Sequence, residues 1–298
     1  MHQLLNSPSI ADGLRRVEAR IGRLGGSSTL PEINAGAGRV IHAGGKRLRP
    51  ALTLATALAF GKSPDRRVVT AAACVELIHA GSLVHDDLMD GSARRRGSPT
   101  LNSDLGAGKA LVIGDFMLAR AGLAAITSVS RPVAEVLAAT VVELAEGQYL
   151  ETAELFNRER TEESALRSIT GKTASLFRAS CLVGALCARA GAEERARLAA
   201  YGETFGLVFQ ILDDLLDLTA PAELLGKPTG HDVLQGVYSL PLLRARAKDP
   251  HLLDGDVADV LARVRRGTVV EDTLASCRAL AADARTALPA RPAFDLLA

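Results

Sequence analysis

Two stretches of this chain carry the same arrangement of acids, Asp86-Asp87-Leu88-Met89-Asp90 and Asp213-Asp214-Leu215-Leu216-Asp217, about 127 residues apart. On an α-helix, positions i, i+1 and i+4 share a face, so each group aims its carboxylates at one point. Carboxylates gathered so closely repel unless a cation or strong donors neutralise them. A lone group of this kind is usually a solvated helix face. Here Leu77, Ile78, Leu83 and Val84 lead into the first, and Phe209, Ile211 and Leu212 into the second. Acids set in apolar helix suit a cavity better than bulk water. An oxygen-only ligand set suits a hard divalent cation, and Mg²⁺ in particular binds through one or two carboxylates plus substrate phosphates. Two such faces opposed across a bundle would grip a diphosphate through bridging metal ions.

Cations stand where an anion would need them. Gly44-Gly45-Lys46-Arg47-Leu48-Arg49-Pro50 packs three into a loop entering a helix, and Arg94-Arg95-Arg96-Gly97-Ser98-Pro99-Thr100 begins four residues after Asp90. Each could be a solvated loop or a set of simple salt bridges, but loop amides, a helix start and Arg or Lys are also what a phosphate requires. Gly171-Lys172-Thr173 resembles the end of a Walker A loop and fails that test, because Leu166 stands where the first glycine belongs and no strand precedes it. Lys172 and Thr173 instead lie in a helical stretch, where an ammonium and a hydroxyl one residue apart could reach diphosphate oxygens. Lys227, in Gly226-Lys227-Pro228, follows the second acid group by ten residues.

The elements that must position these groups are helices. The 298 residues are rich in Ala, Leu, Arg and Glu and lack a run of alternating β-branched residues, which predicts an all-α helical bundle around a central cavity. Helices are expected over 11–23, 31–42, 49–60, 66–89, 109–128, 132–156, 162–190, 192–219, 233–246, 255–265 and 270–288. No Pro- or Ser-rich linker divides the chain, and 48% hydrophobic content supports one domain over residues 1–298. The formal net charge of +1 does not suggest a nucleic-acid partner. Cys74, Cys181, Cys187 and Cys277 show neither CxxC nor zinc spacing and read as buried thiols in a reducing compartment. With no secretory signal at the N-terminus and no uncharged apolar run of 18 residues, a cytoplasmic protein is expected.

Taken in order, GGKRLRP, HxxxLVHDDLMD, RRGSPT, GDFMLARA, GKTASLF, FQILDDLLDL and GKPTGHD resemble the trans-isoprenyl diphosphate synthase (polyprenyl synthetase) family over residues 40 to 245. The resemblance implies an isoprenoid-synthase fold, a homodimer, and Mg²⁺-dependent condensation of isopentenyl diphosphate with an allylic diphosphate. It also implies about three Mg²⁺ ions held by carboxylates and substrate phosphates. Carried onto this chain, Asp86, Asp90 and Asp213 would ligate the metal, with Asp87, Asp214 and Asp217 completing the acidic faces. Arg95, Lys172, Thr173, Gln210 and Lys227 would hold the allylic diphosphate, Lys172 and Lys227 aiding catalysis. Lys46, Arg49, His79 and Arg96 would hold the diphosphate of isopentenyl diphosphate. No membrane span is implied, only a peripheral contact for releasing an apolar product.

Metal ions would neutralise the leaving diphosphate, the second substrate's double bond would attack the allylic cation, and the released diphosphate would take the proton. A side-chain general base is therefore not required. In this family the growing hydrocarbon runs down beside the first acid helix. The residues four and five before Asp86 are Ser82 and Gly81, both small and roughly 6 to 7.5 Å along the axis. They would admit a product of C20 or longer, with Leu77 and Ile78 as a later floor; alternatively they only allow close helix packing.

Two departures from the family pattern stand out. Gly236-Val237-Tyr238-Ser239 lacks an expected lysine, and the chain stops at Ala298 without a basic tail, so weaker closure or diphosphate binding is expected. The alternatives are a class I terpene cyclase, disfavoured by 3% aromatic content and no Trp, and a non-catalytic partner subunit, disfavoured by the retention of both acid groups.

Overall fold

The computed structural model describes residues 7–221, 229–288 and 297. It is helical almost throughout, as the composition predicts, and divides into two compact units. Among the described residues, one comprises 7–141, 176–202, 288 and 297, the other 142–175, 203–221 and 229–287. At 141/142, 175/176 and 202/203 the chain passes between them inside helices and not through linkers, so composition marks no boundary there.

The first unit holds α1 (Pro8–Gly25), α2 (Pro31–His42), α3 (Leu48–Ala59), α4 (Arg66–Met89), α5 (Leu101–Leu105) and α6 (Ala107–Ser128). It also takes the start of α7 (Arg131–Ala153), nearly all of α9 (Ser175–Cys187) and the start of α10 (Ala192–Thr219). Asp65 starts α4 by accepting from the Arg67 and Val68 amides, both at 2.9 Å. From Val68 to Ile78 every residue of α4 is buried, as expected of a helix apolar on all sides. Gly184 lets α9 lie on α3, since a Cβ there would meet the Thr53 carbonyl oxygen at 2.5 Å. The Thr53 hydroxyl secures that contact by donating to the Ser180 carbonyl at 3.0 Å.

By length and composition α4 and α6 could each cross a membrane, although the sequence shows no uncharged run of that length. In α4, 78% of the most apolar window is buried in the protein, the position of a core helix; in α6 the share is 39%. Leu111, Val112, Leu123 and Ile126 of α6 are exposed.

The second unit holds the end of α7, α8 (Glu162–Ile169), a π-helical turn (Thr170–Ala174), the end of α10, α11 (His231–Leu234), α12 (Leu240–Lys248), a 3₁₀ turn (Leu252–Asp254), α13 (Val257–Arg266) and α14 (Val269–Ala287). Leu218, Tyr238, Leu242, Leu252, Val260 and Val264 form its core.

Three local expectations are corrected. The helix expected over 162–190 is interrupted by the π-helical turn and ends at Cys187. The one expected over 233–246 is broken, because Gly236 takes φ +76 after α11 and Pro241 opens α12 behind Ser239. Residues 94–99 form a small antiparallel hairpin, β1 (Arg94–Arg95) with β2 (Ser98–Pro99), where no strand was expected. Its two-residue turn places Arg96 at φ 50 and Gly97 at φ 80, the doubly left-handed geometry that matches strand twist.

Candidate active site

In the first unit the acids Asp86 and Asp87 lie in the last turn of α4, and Asp90 follows as its C-cap. The hairpin returns Arg95 to them. Its Nε donates to Asp87 Oδ1 at 2.6 Å and its Nη2 to Asp86 Oδ2 at 2.8 Å. Asp87 is buried, and burial raises its carboxyl despite Arg95, with Asp86 adding to the rise. Arg95, expected to hold the allylic diphosphate, pairs here with the acid group and holds two carboxylates in one orientation.

The next residue, Arg96, joins the two cationic segments by donating to the Gly44 carbonyl. Arg49 stacks on the Phe177 ring, 4.3 Å from its centroid, and burial lowers its guanidinium to about 10. Neither Arg49 nor Arg96 has an ion-pair partner among the described residues. Lys46 is exposed at the loop. His79 sits in this field. Burial first, then Arg49, Arg96, Arg95 and Arg47, hold its imidazole well below its ordinary value, so it is neutral at pH 7. Of these four, Arg95 and Arg47 are paired with carboxylates, which leaves Arg49 and Arg96 as the uncompensated positive charge acting on the ring.

With the folded value depressed, this histidine contributes stability above the ordinary imidazole range that is lost as pH falls through it. Its ring resonances are therefore expected to stay neutral from pH 7.5 to about 5.5 in substrate-free protein. Inorganic diphosphate should restore titration upward; unchanged ring shifts on adding it would overturn the anion assignment.

Among the three cations of the Gly44–Pro50 loop, the middle one does a different job. Arg47, at φ 50, donates to Glu76 Oε1 at 2.8 Å, to the Ile41 carbonyl at 2.7 Å and to Glu18. It holds the loop that carries Lys46 and starts the helix that carries Arg49.

Above the acid group on α4, Leu77 and Ile78 are fully buried. A Cβ on Gly81 would meet the Gly114 carbonyl at 3.2 Å and the Leu118 side chain at 3.2 Å, so its missing side chain faces α6. Ser82 is half-buried and donates its hydroxyl to the His79 carbonyl at 2.9 Å. Close packing on α6 accounts for Gly81, which leaves Ser82 as the better test of product length.

In the second unit, Thr173 donates to Gln210 Oε1 at 2.9 Å, and Gln210 Nε2 donates to Asp214 Oδ1 at 2.7 Å. Lys172 Nζ pairs with Glu151 Oε1 at 2.6 Å. Asp214 is buried, and its carboxyl is raised well above the usual range by burial, then by Asp232, Asp213 and Glu151 against the help of Gln210. Asp217 is buried and accepts from the Asp232 amide at 3.1 Å. Asp213 is exposed.

The π-helical turn comes close to α7 because both contacts are glycine. A Cβ on Gly147 would meet the Lys172 amide nitrogen at 2.2 Å, and one on Gly171 the Glu143 carbonyl at 2.7 Å. An extra residue in the turn therefore positions Lys172 and Thr173, a common use of such turns. Lys227 lies outside the described residues.

Sequence reading missed Asp232 and Glu151 as members of this acid group, and Arg47 and Glu76 as the brace of the basic loop. Asp232 had a signal, as the last residue of GKPTGHD.

Both acid groups offer carboxylate oxygens, the ligand type a hard divalent cation takes. Among the described residues no three His, Cys, Asp or Glu side chains form a metal cage by themselves. Mg²⁺ does not ask for one, since one or two carboxylates completed by substrate phosphates suffice. A buried carboxyl pushed up by three other acids is also the environment a divalent cation relieves, so the residues fit that metal.

The family model of the polyprenyl synthetases matches residues 31–267. The chain belongs to that family. As a polyprenyl synthetase it is a prenyltransferase of the trans-prenyl diphosphate synthase type. Its sequence is 36% identical to heptaprenyl diphosphate synthase component 2 of Geobacillus stearothermophilus over 277 residues, covering 89% of this chain and 86% of that protein. Matches to other curated prenyl synthases span 64% of their length. Among solved structures, a decaprenyl diphosphate synthase from Rhodobacter capsulatus is 33% identical with a TM-score of 0.90, covering 99% of this chain and 95% of that one. A polyprenyl synthase from Caulobacter crescentus CB15, complexed with calcium and isoprenyl diphosphate, is 31% identical with a TM-score of 0.88, covering 99% and 94%. The all-α isoprenoid-synthase fold expected of a polyprenyl synthetase is the fold observed.

Proposed function

We propose that this polyprenyl synthetase condenses isopentenyl diphosphate with an allylic diphosphate, using Mg²⁺, to give a trans-polyprenyl diphosphate of C20 or longer. The observation that carries the reading is the uncompensated positive charge around His79. Arg49 and Arg96, free of ion pairs among the described residues, face a neutral imidazole that can donate to an oxyanion. That is a receptor for a diphosphate which does not itself ionise, and with Lys46 it is assigned to isopentenyl diphosphate. Thr173, Gln210 and Lys172 are assigned to the allylic diphosphate, and Asp86, Asp90 and Asp213 to the metal.

Bound Mg²⁺ supplies Lewis-acid stabilisation of the diphosphate as it leaves. Lys172 adds positive charge to the same oxygens, and Gln210 keeps Thr173 and Asp214 in register with them. The allylic C1–O bond breaks with its electron pair going to diphosphate, and the double bond of isopentenyl diphosphate forms the new C–C bond. The proton then lost goes to the released diphosphate, so no side-chain base is needed. The reaction is assigned to the cytoplasm, in keeping with four free, buried cysteines.

The test is incubation of purified protein with Mg²⁺, isopentenyl diphosphate and allylic primers of different length, with product chromatography. Chain-extended diphosphates of C20 or longer are expected; cyclic hydrocarbon or no turnover would overturn the reading. In the same assay Ser82→Phe should shift the products to shorter chains by at least one isoprene unit. An unchanged distribution would remove Ser82 from the control of length.

A second copy of this chain is the proposed occupant of the α6 face on which Leu111 and Val112 are exposed. A relative named component 2 makes a different component the rival occupant. Sedimentation should give a dimer that Val112→Asp converts to monomer. A monomeric wild type would instead favour a separate component.

A further inference from the structure

A cavity of about 240 Å³ in the first unit, lined by Arg20 and Arg23 of α1 and by Arg120, Thr127 and Ser128 of α6 together with three apolar side chains, belongs to no part of the site above. Arg20 donates its Nε to Thr70 at 3.2 Å, and Thr70 stands about 24 Å along α4 from Asp86. We propose that this cavity is a second anion site, taking a phosphate or diphosphate group.

Like charges are the first reason. None of the three arginines has an ion-pair partner among the described residues. Burial, then Arg23, Arg66 and Arg120, lower the Arg20 guanidinium. Arg120 also keeps its Nε buried with no hydrogen-bond partner among the described residues, a cost that proteins rarely leave unmet. The cavity beside Arg160 and Arg246 shows the contrast: there Glu154 stands 3.0 Å from Arg160 and Glu159 3.2 Å from Arg246.

Compensation of helix ends does not account for the cluster. Arg23 lies in the last turn of α1, where a cation is favoured. Arg20 and Arg120 lie more than one turn inside their helices, where that field has decayed. A group with several oxygens is what matches three guanidinium forks, which favours phosphate chemistry over a single carboxylate.

Calorimetric titration of the full-length protein with inorganic diphosphate in EDTA tests this. Wild type should show binding at two classes of site. Arg20→Gln/Arg120→Gln should lose one class, with affinity there falling at least about tenfold per arginine removed, while KM for isopentenyl diphosphate stays unchanged. Should that pair fail to fold, Arg23→Gln, at an exposed position, serves in its place. A parallel arm uses vesicles of phosphatidylcholine with phosphatidic acid. Binding to vesicles but not to free diphosphate, lost in the variant, assigns the phosphate to a lipid headgroup. Wild-type and variant titrations that coincide in both arms overturn the proposal.

Discussion

Replacing Asp86 or Asp213 by alanine is expected to lower kcat by at least about 10²–10³-fold, the size of effect seen when a group that stabilises transition-state charge is removed. Each acid is held by its helix and not by the core, so the far-UV circular dichroism of both variants should match wild type. In Asp86→Ala, Arg95 still pairs with Asp87 at 2.6 Å, and the hairpin keeps its place. In Asp213→Ala, Gln210 still reaches Asp214 at 2.7 Å. The loss should therefore be chemical, and raising Mg²⁺ should recover part of it in Asp86→Asn, which keeps one oxygen donor. Near wild-type turnover in either alanine variant would sink the metal assignment. Full loss in one only would mean that the two acid groups do not serve the same step.

The acid groups themselves were legible in the sequence because their logic is local. Helix α4 begins and ends where its pattern predicts, Arg66 and Met89, since Asp65 caps it and the apolar run has no breaker. The register from His79 to Asp86 follows from helix geometry alone. What stayed hidden depends on contacts distant in sequence. The hairpin that carries Arg95 into the acid group is two residues per strand, too short for a periodic signal, and the turn is marked only by Arg96-Gly97. The π-helical turn at Thr170–Ala174 answers to Gly147, which is remote from it in sequence. Asp232 and Glu151 enter the second acid group through Asp214, a neighbour that no spacing announces. The three cations of the Gly44–Pro50 loop looked equivalent by type, and only burial separates them.

That separation carries the largest expected effect on stability. Arg47 and Glu76 are paired at 2.8 Å with side chains 12% and 5% exposed, so Arg47→Met leaves a carboxyl buried without its cation. Breaking a buried pair from one side costs about 3–5 kcal/mol, a large part of the 5–15 kcal/mol that typically holds a protein folded. A fall in Tm on the order of 10 °C follows. The sign of its pH dependence is distinctive. Burial already raises the Glu76 carboxyl against the pull of Arg47, and removing the guanidinium raises it further. A carboxyl whose folded value lies above its unfolded one gives stability that is present at low pH and lost as pH rises through the folded value. Arg47→Met should therefore be closer to wild type at pH 5 than at pH 8. Adding Glu76→Leu removes the stranded charge and should recover most of the loss, since an apolar replacement of a buried pair is often close to neutral. A deficit that is flat with pH, or that Glu76→Leu fails to repair, would mean that Arg47 acts through Glu18 and the Ile41 carbonyl alone. Even at temperatures where the double variant is fully folded, KM for isopentenyl diphosphate should remain raised. The loop bearing Lys46 would have lost the side chain that tied it down, and a brace can be replaced energetically without its geometry being restored.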